Sequence, residues 1–301
     1  MSDLTSHKYS RRHAYCIIAH NEPKLLSILM SLIDDARNDV FLLVDKKADM
    51  RIFDGIKPRK AGFYLAPRVN IHWGAMSLVR AEYSVLKEAC KHGPYAYYHL
   101  ISGVDLPLHG QDYIHDYCDK YQGDEFIGFL PIGEYEFQCA RYHHFFLEYM
   151  RLKNPLVRKF FSFIRHAVIA IERRIGYSRQ LPFPLRKGAN WFSLTEAAVD
   201  YLIEREDVVW KSLNRIHTAD EIVFHTIFAA SPFMKKVHVP GKNGHSNMRL
   251  IDWKRGSPYV WKKEDLHELI TSERFFARKF SSADMDVVQA LVDHIQKEKY
   301  G

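Results

Sequence analysis

Several hallmarks of common protein classes are missing from this sequence of 301 residues. It has only four cysteines and no CxxC pair, so it indicates neither a structural zinc site nor a disulfide framework. It has no glycine-rich phosphate loop of the P-loop or GxGxxG type, which argues against ATP and dinucleotide sites. The 17 histidines show no metal-binding spacing, because the one close pair, His143 and His144, is adjacent in sequence and points apart. We therefore expect no bound metal.

Long apolar runs are also missing. No stretch of 18 apolar residues occurs, and the N-terminal segment is polar, so we expect neither a membrane-spanning helix nor a secretion signal. Together with the cysteine pattern, this predicts a cytoplasmic protein.

What is present is a composition that folds and attracts anions. With 47% hydrophobic and 26% charged residues, the chain can bury a full core, and we expect one compact unit. The formal net charge of +7 favours partners with negative charge, whether phosphates, a membrane surface or nucleic acid. Charge alone does not choose among them.

Apolar segments alternate with helical patterns in the first hundred residues. The runs 14–19 and 40–44 are typical of buried strands and are separated by a helical stretch. A further cycle follows, with 69–72 extended, 77–90 helical and 95–101 a strand. This order predicts an α/β fold whose mostly parallel central sheet has helices on both faces.

Polar residues follow the predicted strands, where open parallel sheets bind their ligands. His20 comes after the first strand, Asp45 after the second, and the sequence 102–105, ending in Asp105, after the strand 95–101. We interpret 1–110 as a nucleotide-binding half and 111–301 as a second half of the same unit.

The second half contains a basic segment, 151–187, with ten Arg or Lys residues and one acid, Glu172. Apolar runs lie between the charges, which predicts an amphipathic helix. Two interpretations stay open: a peripheral contact with the inner face of an anionic membrane, or a helix packed on the core with a solvated basic face. A Trp-containing strand with a helix is expected within 187–204, and further helices are expected over 219–230 and at the C-terminus as far as Lys297.

Eight sequence motifs, taken in order, resemble the core-2/I-branching N-acetylglucosaminyltransferases and peptide xylosyltransferases, glycosyltransferase family 14. The motifs are AYCIIAHNEP (14–23), FLLVDKK (41–47), HWGAMSLVRAE (72–82), YYHLISGVDLPL (97–108), KGANWFSLT (187–195), ADEIVFHTIF (219–228), RLIDWKRGSPYVW (249–261) and FFARKF (275–280). The resemblance implies a GT-A-like fold and one catalytic domain over 1–301. It also implies an inverting, metal-independent transfer of GlcNAc or xylose from a UDP-sugar to a glycan or glycolipid hydroxyl, forming a β linkage.

By the same resemblance, Glu221 is the base that activates the acceptor hydroxyl. Inversion at an anomeric carbon needs one carboxylate within hydrogen-bond reach of that hydroxyl. Asp220 and Glu221 both stand at a predicted helix start, where acids are also favoured as caps, so the sequence pattern without the resemblance favours capping.

The departing diphosphate needs positive charge, and no DxD metal loop is correctly placed. Ser102 to Asp105 offers one carboxylate, and the literal DxD at 284–286 falls in the predicted final helix, where chance explains it. The resemblance implies that Arg278 and Lys279 take the place of the metal, because fixed cations stabilise developing negative charge. Two solvated bases after a buried Phe pair are the alternative.

The remaining predicted contacts also rest on the resemblance. For the donor they are His20, Asp45, Trp73 and Gly74. For the transferred sugar or the acceptor they are Asp105, Asn190, Trp191, Trp253 and Tyr259. A turn residue at 45 and a buried core-edge tryptophan at 73 are the alternatives. The competing function is a non-catalytic basic module that grips anionic lipid or nucleic acid through 151–187; we expect a transferase that binds no nucleic acid.

Overall fold

The computed structural model describes residues 12–239 and 246–300. Strands and helices alternate along the first part of the chain, and helices dominate the second. In chain order the elements are β1 (His13–Ala19), α1 (Pro23–Leu32), β2 (Asn38–Val44), β3 (Gly62–Leu65), α2 (Met76–Cys90), β4 (Tyr97–Ser102), β5 (Leu106–Pro107), α3 (Gln111–Lys120), β6 (Phe129–Leu130), α4 (Glu134–Arg141), α5 (Pro155–Arg174), β7 (Lys187–Gly188), β8 (Ser193–Thr195), α6 (Glu196–Glu204), α7 (Glu206–Ser212), α8 (Ala219–Ala229), β9 (Arg249–Ile251), α9 (Leu266–Ile270), β10 (Phe276–Arg278) and α10 (Met285–Tyr300).

The main sheet has five strands in the order β3-β2-β1-β4-β8. Neighbouring strands among the first four are parallel, and β8 runs antiparallel to β4. The predicted α/β fold with a mostly parallel central sheet is confirmed, and it is consistent with a GT-A-like architecture. Every residue of β1 and β2 is buried, as their continuous apolar runs predict for a sheet covered on both faces.

Two hydrophobic clusters cover the two faces of this sheet. Alternate residues of β1 enter them, because successive strand side chains point to opposite faces: Cys16 and Ile18 belong to one cluster, and Tyr15 and Ile17 to the other. Helices α2, α6 and α8 pack in the first cluster, and α1, α3 and α10 pack in the second. Both clusters therefore draw on both predicted halves, while the assignment of 1–301 to a single domain stays a prediction.

A smaller sheet of order β5-β10-β9 lies beside the main one. Its central strand β10 is parallel to β9 and antiparallel to β5. Since β5 follows β4 closely in the chain, the small sheet brings Arg278, at the end of β10, next to the carboxyl end of β4.

One expected element is wrong. The segment 69–72 forms no strand; the edge strand beside β2 is the earlier β3, whose four residues are partly exposed and too short to give a clear pattern. The coil after β3 nevertheless follows the sheet, because the Val69 carbonyl accepts a hydrogen bond of 2.8 Å from the backbone N–H of Lys46. The stretch 187–204 also differs: it holds two short strands before α6, and Trp191 lies between them.

The basic segment contains the predicted helix, α5. Asn154 caps its start, because its side chain accepts hydrogen bonds from the backbone N–H groups of Leu156 and Val157. Ile169 is its one fully buried residue. Of the helices in the described part of the chain, none is both long and apolar enough to cross a membrane.

Candidate functional site

A cleft with a volume of about 280 Å³ opens at the carboxyl ends of β1, β2 and β4. This is the position at which open α/β sheets bind ligands. Five residues predicted from the sequence line it: His20, Asp45, Trp73, Trp191 and Arg278. They come from five separate parts of the chain, so the fold assembles the cleft from residues that the sequence predicted independently.

Gly103 lets the ends of β1 and β4 approach each other at the floor of the cleft. A Cβ atom at this position would lie 2.9 Å from the Cβ of Ala19, closer than side chains normally pack. The backbone N–H of Gly103 donates to the Ile18 carbonyl at 3.0 Å. The glycine therefore keeps the backbone of β1 close to that of the following loop.

Asp45 is buried, with 6% of its surface exposed, and its carboxylate caps the loop that follows β2. Oδ1 accepts hydrogen bonds from the backbone N–H groups of Lys47 at 2.9 Å and Ile71 at 3.4 Å, and Oδ2 lies 3.7 Å from the Lys47 ammonium. Burial at the same wall lowers the pKa of His20, although the charge of Asp45 opposes this shift. The wall thus presents a carboxyl oxygen as an acceptor beside an imidazole whose pKa is lowered by burial.

Arg278 is held at the opposite side of the cleft by an anchored carboxylate. Its Nη1 donates to Oδ1 of Asp105 at 2.7 Å and also to the Ser102 hydroxyl. Asp105 is 1% exposed and accepts further bonds from the Ser102 backbone and hydroxyl, both at 2.8 Å. The guanidinium carbon lies 4.8 Å from the centre of the Trp191 ring. In this structure Asp105 therefore positions Arg278, and it lies behind the cleft wall.

Glu22 holds the loop that follows Arg278. It adopts a left-handed backbone conformation, with φ of 58°, directly before α1. Its carboxylate accepts hydrogen bonds from the Ser282 backbone N–H at 3.2 Å and the Ser281 hydroxyl at 3.4 Å. This contact ties the loop after β1 to the loop that follows Arg278.

Trp73 and Gly74 connect the cleft to the start of α8. The Trp73 ring is 53% exposed and carries the Arg151 guanidinium 4.6 Å from its centre; both residues line the cleft. Gly74 lies behind the wall in a left-handed conformation, and a Cβ there would meet the His217 ring at 3.3 Å. Since His217 lies just before α8, this contact connects the cleft wall to the start of α8.

Glu221 stands in that first turn as a half-buried carboxylate. Its Oε2 lies 3.3 Å from the Lys187 ammonium, which also contacts Glu136 at 2.6 Å. Burial opposes the charge of Lys187, but the hydrogen bond with Glu136 and the neighbouring Glu221 hold its pKa above the usual value. The predicted base is therefore oriented by a cation that is itself fixed by a second carboxylate.

Asp220 faces the protein interior. Burial, and secondly the charge of Glu221, raise its pKa to about 7, whereas Arg278 acts in the opposite direction. Burial and the nearby Asp220 also raise the pKa of Glu82, a fully buried residue of α2, well above its usual value. Burial therefore makes both carboxyl groups hold their protons to higher pH than exposed carboxyl groups do.

The other seven predicted residues do not line the cleft: Gly74 and Asp105 lie behind its wall, Glu221 lies in the first turn of α8, and the rest are Asn190, Lys279, Trp253 and Tyr259. Asn190 is buried in the neighbourhood of Glu82. Lys279 lies beyond the wall, and its backbone N–H donates to the Tyr259 carbonyl at 3.3 Å. Trp253 is 55% exposed in the loop after β9. Their predicted roles, and that of Tyr259, stay predictions.

The fold brings together residues that the sequence did not single out. Arg151 was noticed only as a member of the basic segment, Lys187 as a member of that segment and as the first letter of a motif, and Glu82 only as the last letter of a motif. Their functional neighbours lie far away in the chain, so no local spacing marks them. For Lys187 and Glu82 the signal available was their position inside motifs that also carry predicted site residues, whereas Arg151 lies in none of the eight motifs.

One buried group departs from the expectation that no histidine has metal-ligand neighbours. Within the described residues, ligand atoms of His13, His99 and Cys118 lie within 4.8 Å of one another. The two histidine rings take part in hydrogen bonds. The His99 ring forms one with the His13 ring at 3.0 Å and one with the Ser193 hydroxyl at 2.6 Å, and that hydroxyl accepts a hydrogen bond from the buried Arg249 at 2.9 Å. Because this network holds a buried guanidinium and lies at the opposite end of β1, we interpret it as core hydrogen bonding.

A mostly parallel sheet with a cation-lined cleft at its strand ends is an architecture typical of nucleotide-binding α/β proteins. The family model of the Core-2/I-Branching enzyme matches residues 13–277, and the chain belongs to this family. It is 23% identical to xylosyltransferase 2 of Canis lupus familiaris over 94% of this chain and 34% of the relative. It is also 29% identical to xylosyltransferase 2 of Rattus norvegicus over 40% of this chain and 16% of the relative. The longer of these matches spans about a third of the relative's length. The chain is therefore a member of the Core-2/I-Branching enzyme family that is similar in sequence to xylosyltransferase 2.

Proposed function

We propose that the protein transfers GlcNAc or xylose from a UDP-sugar to a hydroxyl of a glycan or glycolipid, with inversion and without a metal ion. The observation that carries the proposal is Arg278, a guanidinium fixed at the cleft wall by Asp105 and Trp191. A cation held in place before the reaction stabilises a departing diphosphate without reorganisation. The xylosyltransferase relatives favour xylose as the first donor to test.

In this proposal Asp45 and His20 receive the uridine at the ends of β1 and β2, and Arg278 receives the diphosphate at the end of β10. Lys279 adds the second positive charge that the family motif implies. Trp73 and Trp191 offer flat apolar surfaces for the sugar, since sugars stack on aromatic rings. The acceptor then enters near the start of α8, beyond Trp73 and Gly74.

The bonding changes balance around Glu221. The acceptor hydroxyl gives its proton to the Glu221 carboxylate, and the acceptor oxygen forms a bond to the anomeric carbon. The bond from that carbon to the β-phosphate oxygen breaks, and UDP leaves with the electron pair toward Arg278. Attack from the face opposite the leaving group inverts the anomeric centre, and one carboxylate is sufficient.

The first experiment measures thermal stabilisation by UDP, UDP-GlcNAc and UDP-xylose, each with and without EDTA. A ligand that binds only the folded protein raises the melting temperature, and the shift grows with the ratio of ligand concentration to Kd. We expect a shift with UDP, a larger shift with one of the two donors and no effect of EDTA. If no uridine nucleotide stabilises the protein, the transferase proposal fails and the non-catalytic module gains support. If EDTA removes the shift, the metal-independent step is wrong.

The second experiment separates donor binding from chemistry with Glu221→Gln. The amide keeps the size of the side chain but cannot accept the proton, so transfer should be abolished while stabilisation by UDP remains. Glu134→Gln, at an exposed position in α4, is the matched control and should keep full transfer. A Glu221→Gln variant with most of its turnover would remove this residue from the role of base.

A further inference from the structure

Helix α5 exposes an apolar stripe to solvent. Leu156 is 76% exposed, Phe160 59%, Phe163 72% and Ile171 59%. Their offsets of 4, 7 and 15 residues place them on one side of a helix. Large apolar side chains at this exposure and regular spacing form a contiguous surface, and such surfaces mark interaction sites.

The opposite side of α5 is already occupied. Phe161 stacks on Tyr149 with ring centres 4.2 Å apart, and its ring lies 4.9 Å from that of Phe146. Glu172 accepts hydrogen bonds from the backbone and ring of His143, at 3.0 Å and 2.6 Å. These contacts anchor the inner side of the helix and hold its apolar stripe outward.

The charge around the stripe is of one sign. Lys153, Lys159 and Arg174 are exposed before, within and at the end of α5, and Lys159 and Arg174 lie beside the stripe on the helix. The only acid between residues 151 and 187 is Glu172, which is partly buried and bound to His143. Arg158 and Lys159 also line a small cavity of about 220 Å³ beside the helix, together with Arg165 and Ser162. The stripe is therefore bordered by cations with no exposed acid in its own segment.

We propose that this face of α5 binds the surface of an anionic lipid bilayer, with the apolar stripe at the level of the upper acyl chains and the cations at the lipid phosphates. A bilayer interface supplies both an apolar layer and a dense negative surface, and the two contributions add. Nucleic acid matches the charge but gives the stripe no apolar partner. A second copy of the chain matches the stripe but brings like charges together.

This placement puts the membrane beside the cleft. Leu147 and Arg151, which line the cleft, belong to the segment that leads into α5. A helix lying flat on the bilayer therefore holds the cleft near the headgroups. The binding itself does not depend on the proposed transferase activity, because no nucleotide sugar takes part in it.

The test is co-sedimentation of the full chain with vesicles of phosphatidylcholine alone and of equal parts phosphatidylcholine and phosphatidylglycerol. We expect binding to the anionic vesicles and little to the neutral ones. Phe160→Ser with Phe163→Ser should weaken binding by roughly a hundredfold, about tenfold for each ring. Lys159→Gln with Arg174→Gln should weaken it by roughly thirtyfold, and added salt should reduce this difference.

Matched controls lie on another part of the surface. Ile52→Ser with Leu65→Ser removes two apolar side chains that are 45% and 56% exposed, and Lys57→Gln with Lys60→Gln removes two exposed cations. Both should bind anionic vesicles as the unchanged protein does, and all four double variants should keep its melting temperature. Failure of the unchanged protein to bind anionic vesicles overturns the proposal, as does equal binding by the serine variants of α5 and of the control surface.

Sedimentation velocity without lipid tests the alternative that a second copy of the chain covers the stripe. We expect a monomer whose sedimentation does not change in the Phe160→Ser, Phe163→Ser variant. A dimer that this variant dissociates would assign the stripe to contacts between copies and overturn the membrane proposal. Vesicle binding that persists when transfer fails would leave this inference intact and remove only the proposed function.

Discussion

Asp220→Asn should stabilise the protein increasingly as the pH rises from 4 to 7. Asp220 is 9% exposed, and burial together with the adjacent Glu221 raises its pKa from 3.8 to about 7. In the folded protein the carboxyl group therefore keeps its proton over a range in which the unfolded chain has lost it. The amide of asparagine resembles the protonated form in size and charge, but it carries no titratable group.

The sign follows from proton linkage. Between pH 4 and 7 the folded state binds one more proton at Asp220 than the unfolded state, so the free energy of unfolding falls as pH rises. Each pKa unit corresponds to about 1.4 kcal/mol, so a shift of roughly three units removes about 4 kcal/mol by pH 7. This loss is a substantial fraction of the roughly 5–15 kcal/mol by which folded proteins are typically more stable than their unfolded chains. Asparagine abolishes it.

Urea denaturation at several pH values measures the effect. The quantity to plot is the free energy of unfolding of Asp220→Asn minus that of the unchanged protein, since the titrations of other groups cancel in this difference. It should rise by about 4 kcal/mol between pH 4 and 7. Asp116→Asn, at an exposed position in α3, is the control and should give a flat line. A flat line for Asp220→Asn would refute the buried, protonated carboxyl group.

Three further substitutions test the cleft and the ion pair at Glu221. Gly103→Ala should lower the free energy of unfolding, measured by denaturation, by about 1–3 kcal/mol, because the new Cβ would lie 2.9 Å from the Cβ of Ala19. The control Gly110→Ala should lower it less, because a Cβ there meets nothing within 4 Å. Arg278→Gln should weaken UDP binding by roughly tenfold to a hundredfold in calorimetry, since a charge-assisted hydrogen bond contributes about 1.5–3 kcal/mol; unchanged affinity would contradict its role. Lys187→Met should lower kcat roughly tenfold or more at unchanged UDP affinity, because misplacing a reacting group is costly; an equal kcat would show that the Glu221 ion pair is dispensable.

The sheet and its ligand edge were predictable because their signals are local. The runs 14–19 in β1 and 40–44 in β2 are continuously apolar, as is typical of strands in a sheet covered on both faces. Once the strands were placed, His20 and Asp45 followed from the rule that parallel strands present their carboxyl ends to ligands. The strand β3 was missed because it lacks such a local signal: its four partly exposed residues show no clear alternation of apolar and polar side chains.

The rest of the site was not predictable from spacing. Arg278 and Asp105 are 173 residues apart and meet because β5 pairs with β10. Lys187 reaches Glu221 from β7, a strand of two residues that no pattern announces. Family motifs pointed to Arg278 and Glu221 themselves, but their partners became visible only in the folded chain.

Two adjacent positions in α8 show why a sequence motif alone does not determine the role of a carboxyl group. Asp220 and Glu221 are consecutive, so they point about 100° apart around the helix. One side is the core, where Asp220 keeps its proton; the other is half open and faces Lys187. Asp220→Asn should therefore stabilise the fold and preserve transfer, whereas Glu221→Gln should abolish transfer. If both variants lost transfer equally, the two carboxyl groups would act as one unit, and the division of roles drawn from their burial would be wrong.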